Sequence, residues 1–169
     1  MTYAFKNPIT QTIADFLTEI GLEVRSTKIT DEMFLSGIRV EHGALLVDEE
    51  KLTYPGDVLH EAGHLAVAPA ELRPTLSGEV IIPGVQMEPV EAQAIAWSYA
   101  AIVHLGLDPK VIFHAGGYRV ESERVEFGFS IGVYIGVNGL QAAGLTVMGP
   151  EATAKGLPQY PHMIKWLRD

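Results

Sequence analysis

The 169-residue chain is 47% hydrophobic, carries a formal charge of −9 and contains no cysteine. That much apolar material furnishes the core of one domain spanning residues 1–169, while the acidic balance, without any Lys/Arg cluster, argues against nucleic acid as a partner. The missing thiols exclude a disulfide framework and a thiolate metal site, and the opening MTYAFKNPIT lacks the basic flank and apolar core of a signal peptide, so a cytoplasmic location is the default expectation.

Asn7-Pro8 opens the first predicted helix, Ile9, Ile13, Phe16, Leu17 and Ile20 fall at helical spacing, and Gly21 closes it. Strands are predicted around Leu22 to Ile29, Phe34 to Val40 and Ala44 to Val47. The last two are joined by a turn at Glu41-His42-Gly43, in which His42 is a turn residue. A helix follows from about Tyr54 to Val67, with Thr53 as its N-cap, Pro55 in the first turn, Asp57 at the positive end of the dipole and Pro69 as the stop. The expectation is an α+β fold, a small mostly antiparallel sheet packed with this helix and followed by a helical C-terminal part.

That helix carries His60-Glu61-Ala62-Gly63-His64, an HExxH pattern. Residues four apart on a helix stand one turn above each other, so the imidazoles of His60 and His64 can point at one tetrahedral ion. Glu61 lies about 100° round the helix from His60, which suits a carboxylate that reaches water activated by the metal. The plain alternative is a pair of half-buried histidines satisfied by backbone or carboxylate partners.

A catalytic zinc site needs a third protein ligand. The extension HExxHxxGxxH is absent, since Leu65-Ala66-Val67-Ala68-Pro69-Ala70-Glu71 follows His64. The next predicted helix starts near Pro89 and ends around Gly106, and its acidic residues are Glu91 and Glu88. Glu91 has a second explanation as the N3 residue of a capping arrangement in which Glu88 would be the N-cap.

Gly43-Ala44-Leu45-Leu46-Val47-Asp48, the run Leu52 to His64 and Glu91-Ala92-Gln93-Ala94 together resemble the ImmA/IrrE family of zincin-like metallopeptidases. The resemblance covers roughly residues 36 to 100. It implies a gluzincin-like fold, Zn2+ as the cofactor and Glu91 as the third ligand beside His60 and His64. Gln93 stands where that family usually has Asn, and the helix continues as WSYAAIVHLGLDP without the family's usual ending. The last 60 or so residues match nothing in it.

Residues 68 to 88 hold Pro69, Pro74, Pro83, Gly78 and Gly84, with one short strand expected at Glu79 to Ile82. This connection is placed to wall a substrate cleft, with Arg73 read as part of a solvated loop. Phe127 to Pro150 is free of charge yet contains six glycines. It is expected to form a buried helix broken near Asn138-Gly139 and not a membrane span. An intramembrane peptidase, which shares HE-x-GH, would need several spans.

His114 and Tyr118 flank the flexible turn at Gly116-Gly117. They are expected as groups stabilising a developing oxyanion, the alternative being a helix C-cap with exposed polar neighbours. His104 is read as structural, and Tyr160 to Arg168, carrying His162 and Trp166, as a short helix docked on the body. The function expected is a zinc-dependent metallopeptidase acting on a peptide or protein substrate, with His60, His64 and Glu91 on the metal and Glu61 as general base. The rival from another class is a zinc-binding regulatory or interaction protein without catalysis.

Overall fold

Asn7 accepts a hydrogen bond from the Ile9 N–H at 2.9 Å, and Pro8 sits in the first turn of helix α1 (Pro8–Glu19), so the expected start is the observed one. Ile13, Phe16 and Leu17 bury its inner stripe. The structure is a computed structural model that describes residues 4–30, 37–82, 84, 86–116 and 122–169, with the side chain of Glu88 also outside the description. Among the described residues the elements after α1 are β1 (Val24–Ser26), β2 (Ile38–Glu41), β3 (Ala44–Val47), α2 (Gly56–Val67), α3 (Met87–Leu105), α4 (Ser122–Ser130), α5 (Val137–Ala142) and α6 (Gly149–Lys155).

The chain is therefore α+β, but its sheet is mixed where a mostly antiparallel one was expected. The strand order is β1-β3-β2, with β3 antiparallel to β2 and parallel to β1. The hairpin reading of β2 and β3 holds, with Glu41 ending β2 instead of opening the turn and His42 taking a left-handed φ of 48°; Phe34 to Ser36 of the expected strand lie outside the described residues. β3 is the central strand, with Leu45 and Val47 fully buried, so β1 must complete its other edge and arrives there in the parallel sense.

Immediately after β3, Asp48 is 2% exposed and accepts backbone hydrogen bonds from Ile29 at 2.9 Å and Glu50 at 3.2 Å. The bond from Ile29 holds its carboxyl below the usual range against the opposing effect of burial. The folded pKa lies under the unfolded one, so the stabilisation is fully present above about pH 4 and is lost as the pH falls through the folded value. Asp48→Ala is expected to cost about 1–3 kcal/mol at pH 7 by leaving the Ile29 N–H without its acceptor. Urea unfolding at pH 7 and pH 3 checks this: the variant's deficit shrinks at the lower pH, and a deficit that is absent at pH 7 or constant across the range contradicts the role given to Asp48.

Helix α2 starts differently from expectation. Pro55 and not Thr53 occupies the cap position, and it makes no side-chain cap bond. The start is fixed by packing, because a Cβ on Gly56 would come within 1.8 Å of the Val111 carbonyl oxygen. The other end of α2 is closed by Arg73, which is no solvated loop residue. Its Nε donates to Leu65 O at 2.9 Å and its Nη2 to Ala68 O at 3.1 Å and Arg168 O at 2.7 Å. The last carbonyls of a helix have no partner within it, and this guanidinium supplies one.

Helix α3 lies against α2 and ends at Gly106, whose φ of 65° makes it the expected C-cap. Ala94, Ala96, Ala100 and Ala101 on α3 are fully buried, which lets the two helices approach closely. Ser98 ties them together by donating to Ala94 O at 2.8 Å and Leu59 O at 3.1 Å.

Three further expectations are corrected. Glu79 to Ile82 forms no strand, although residues just before it lie along the hairpin, with Gly43 N donating to Leu76 O and Gly78 N to Val40 O. The break in the uncharged stretch falls between α4 and α5, not at Asn138-Gly139, which lie within α5. Gly132 and Gly136 have φ of 82° and 79°, values that interrupt a right-handed helix. The stretch is not uniformly buried either, with Ile131 and Val133 each 60% exposed.

Residues 160–168 form no helix. Pro158 and Pro161 remove N–H donors and disfavour helical backbone before them, and the segment instead pairs in extended form through Ile164 N to Leu145 O and Tyr160 N to Val147 O. It does dock: Trp97 Nε1 donates to Trp166 O at 2.8 Å, and the Trp166 ring packs on Phe16 at 4.9 Å. His104, 5.6 Å from Phe16 and 5.3 Å from Trp166, belongs to this aromatic cluster, in keeping with a structural role. No helix of the described residues is long and apolar enough to cross a membrane.

Candidate metal centre

The helical repeat puts Asp57, His60, Glu61 and His64 on one face of α2, and α3 brings Glu91 against it. His60 Nε2 is 3.0 Å from Glu91 Oε1, His64 Nε2 is 3.1 Å from Glu91 Oε2, and the two Nε2 atoms are 3.2 Å apart. A tetrahedral zinc with ligands at about 2.0–2.1 Å sets those ligands roughly 3.3–3.4 Å from one another. The observed contacts, which reach two different oxygens of Glu91, are slightly shorter than that spacing. Two ring nitrogens facing each other and the same carboxylate need a proton or a cation between them, because lone pairs alone repel.

The electrostatics of the cluster have the same sense. Burial pushes the Glu91 carboxyl up, but hydrogen bonds from His60 and His64 and their charge outweigh it and hold Glu91 well below the usual carboxylate range. For His60, burial works against the charged form, and Glu91 overcomes it to leave the imidazole raised. The donor set of two imidazoles and one carboxylate is that of a catalytic zinc site. His64 Nδ1 is buried without a hydrogen-bond partner among the described residues, so its Nε2 is the nitrogen engaged in the cluster.

Glu61 stands beside this triangle. It offers a carboxylate oxygen within 4.8 Å of ligand atoms of both histidines. Burial raises its pKa, the histidine charges opposing. No side chain or N–H among the described residues hydrogen-bonds it, which leaves both carboxylate oxygens available for a proton. Glu91 is 43% exposed while the histidine side chains are 12% and 7% exposed, so the triangle opens to solvent on the Glu91 side.

His114 is placed near the same helix but not as expected. Its Nε2 donates to Asp57 Oδ1 at 2.7 Å, its ring stacks on Tyr54 at 3.7 Å, and its Nδ1 is buried without a partner among the described residues. Neither ring nitrogen therefore faces solvent. Burial raises Asp57, and the attraction of His114 opposes that rise. Tyr118 lies outside the described residues.

Two residues that position the centre are not evident from the motif alone. Asp57, three residues before His60 on the same face, is the anchor for His114; its spacing was visible, but its partner is 57 residues away. Gly63, inside the motif, is the contact point with α3, where a Cβ would meet Ala94 O at 2.8 Å. Gln93, the departure from the family's Asn, packs against Gly139 of α5, where a Cβ would be only 2.4 Å from the Gln93 amide carbon. No protein-family model, curated protein or solved structure matches the chain.

Proposed function

We propose that the chain is a zinc-dependent peptide hydrolase with a zincin-like fold, in line with its resemblance to the ImmA/IrrE family. The observation that carries this reading is the cluster of His60 Nε2, His64 Nε2 and the Glu91 carboxylate, with contacts of 3.0–3.2 Å, and Glu61, a carboxylate without hydrogen-bond partners among the described residues, alongside. His60, His64 and Glu91 are the residues that would hold the metal. Zinc bound there supplies Lewis acidity, polarising a carbonyl and making water nucleophilic near neutral pH.

The chain's own groups do the rest. Glu61 takes a proton from the attacking water at its carboxylate oxygen and returns it to the amine that leaves, so the protons balance over one cycle. Burial raises its pKa, which favours the protonated form needed for the second half of the cycle. The oxyanion role first expected of His114 becomes a positioning one, since its Nε2 is held by Asp57 and its Nδ1 is buried. The same observation favours a second reading, a zinc-holding scaffold without turnover, which predicts bound zinc and no hydrolysis.

Elemental analysis of the purified protein is the test of the metal site. Wild type is expected to bind zinc stoichiometrically, and His60→Ala and Glu91→Ala to bind it at least about a hundredfold more weakly, since even losing an outer partner of a ligand costs 10–100-fold. Full zinc content in either variant removes that residue from the ligand set. Absence of zinc from the wild type after reconstitution removes the metal site altogether.

A further inference from the structure

We infer that the peptide-hydrolase site proposed above takes a bulky apolar side chain of its substrate into a depression formed by α4 and the segment after it. The inference rests on that proposed reading and adds the substrate class. The depression has a volume of about 170 Å³ and is lined by Arg124, Val125, Gly128, Phe129, Val133 and Ile135. An apolar protein cavity of about 150 Å³ accepts a benzene ring, so a Phe-sized or Leu-sized side chain fits this one.

Its surroundings are unusually apolar for a surface. Phe127, Ile131, Val133 and Ile135 are 65%, 60%, 60% and 42% exposed, and no charged residue occurs from Phe127 to Pro150. Clustered exposed apolar residues of this kind mark a binding surface. The floor is firm: Phe129 is 2% exposed and packs on Tyr99 at 4.8 Å and Tyr134 at 5.4 Å. Tyr99 belongs to α3, the helix that bears Glu91.

Both ends of the segment are tied to the metal centre's helices. At one end the backbone of Gly136, the residue after Ile135, lies on the carbonyl of Ala92, the residue after Glu91; a Cβ on Gly136 would be 2.0 Å from that oxygen. At the other end Ser122 Oγ donates to His114 O at 3.0 Å, and His114 is held by Asp57 of α2. Ile135, which lines the depression, is thus one residue from the point where the chain meets the backbone beside Glu91.

A substrate side chain suits this surface better than a second copy of the chain. Aromatic side chains bury about 150–250 Å² each and Ile and Val less, so four that are about half exposed offer at most roughly 500 Å². A stable interface needs about 800 Å² per partner.

The test uses two quenched fluorescent peptides that are identical except for Phe or Ala next to the cleaved bond, with Val133→Asp/Ile135→Asp as the first variant and Val133→Trp, which fills the depression without adding charge, as the second. Wild type is expected to cleave the Phe peptide with a kcat/KM 10–100-fold above the Ala peptide. Each variant is expected to bring that ratio to within about twofold, with zinc content unchanged. A ratio that stays at its wild-type value in a folded variant overturns the inference while leaving the hydrolase reading intact.

If wild type cuts neither peptide, the hydrolase reading fails, and fluorescence binding of the Phe peptide decides the inference separately: binding lost in the variants supports it, and no binding by wild type overturns it. A variant that converts a dimer to a monomer in sedimentation, with the ratio unchanged, assigns the surface to self-association and also overturns it.

Discussion

Glu61→Gln is expected to leave zinc bound at the wild-type stoichiometry and to lower kcat for peptide cleavage by about 10²–10⁴-fold, the usual contribution of a positioned general base. The amide keeps the shape of the side chain and loses only its ability to accept and return a proton. Glu61 has no hydrogen-bond partner among the described residues, so the change breaks no hydrogen-bond network and removes only its attraction to His60 and His64. Loss of activity in this variant therefore reports on chemistry and not on folding. Zinc content and cleavage are measured on the same preparation. Unchanged turnover excludes the base role, and loss of zinc with the fold intact makes Glu61 a ligand, an outcome compatible with its lying within 4.8 Å of the histidine ligand atoms.

Gly63→Leu is expected to destabilise the fold by several kcal/mol and to abolish zinc binding together. A Cβ at this position already meets Ala94 O at 2.8 Å, Ala94 Cα at 3.1 Å and the Ala94 carbonyl carbon at 3.3 Å, all of them backbone atoms that cannot swing aside. Gly63→Ala alone must push α3 outward, at an overpacking cost of about 1–3 kcal/mol against a helix-propensity gain of up to about 1 kcal/mol. The outward shift acts on Glu91, three residues before Ala94 on the same helix, and a displacement of a few tenths of an ångström opens a triangle whose edges are 3.0–3.2 Å. Urea unfolding and zinc titration of both variants check this. A Leu variant with the wild-type midpoint and affinity would show that α2 and α3 do not meet at Gly63.

Much of the centre was legible in the sequence because its geometry is helical and local. The four-residue spacing of His60 and His64 is enough to put both imidazoles on one face, and Asn7-Pro8, Gly21 and Gly106 mark helix ends by rules that involve only neighbouring residues. The resemblance pointed to Glu91, which lies against both histidines, though the residues alone left Glu88 and a capping role open. What escaped depends on partners far along the chain. Arg73 looks like any loop arginine until the end of α2 and the backbone of Arg168 are seen to meet it.

His114 was expected as an oxyanion stabiliser, and its attachment to Asp57 depends on a contact no local pattern records. The parallel edge of the sheet is of the same kind, since alternation predicts a strand but not which side of β3 it takes. Six glycines in the uncharged stretch were visible in the sequence, whereas the backbone angles of Gly132 and Gly136 decide where the helix stops.

The grip of two glycine backbones on α3, Gly63 on one side and Gly136 on the other, has a bearing on how the centre would take up a metal. Helix backbones held by direct contact have little freedom left to lose, so Glu91 would be ordered before any ion arrives, and the entropy surrendered on binding is confined to a few side-chain torsions. Uptake by such a preorganised site resembles closing a clasp, not folding a loop around its cargo, and its calorimetric signature is a small heat-capacity change.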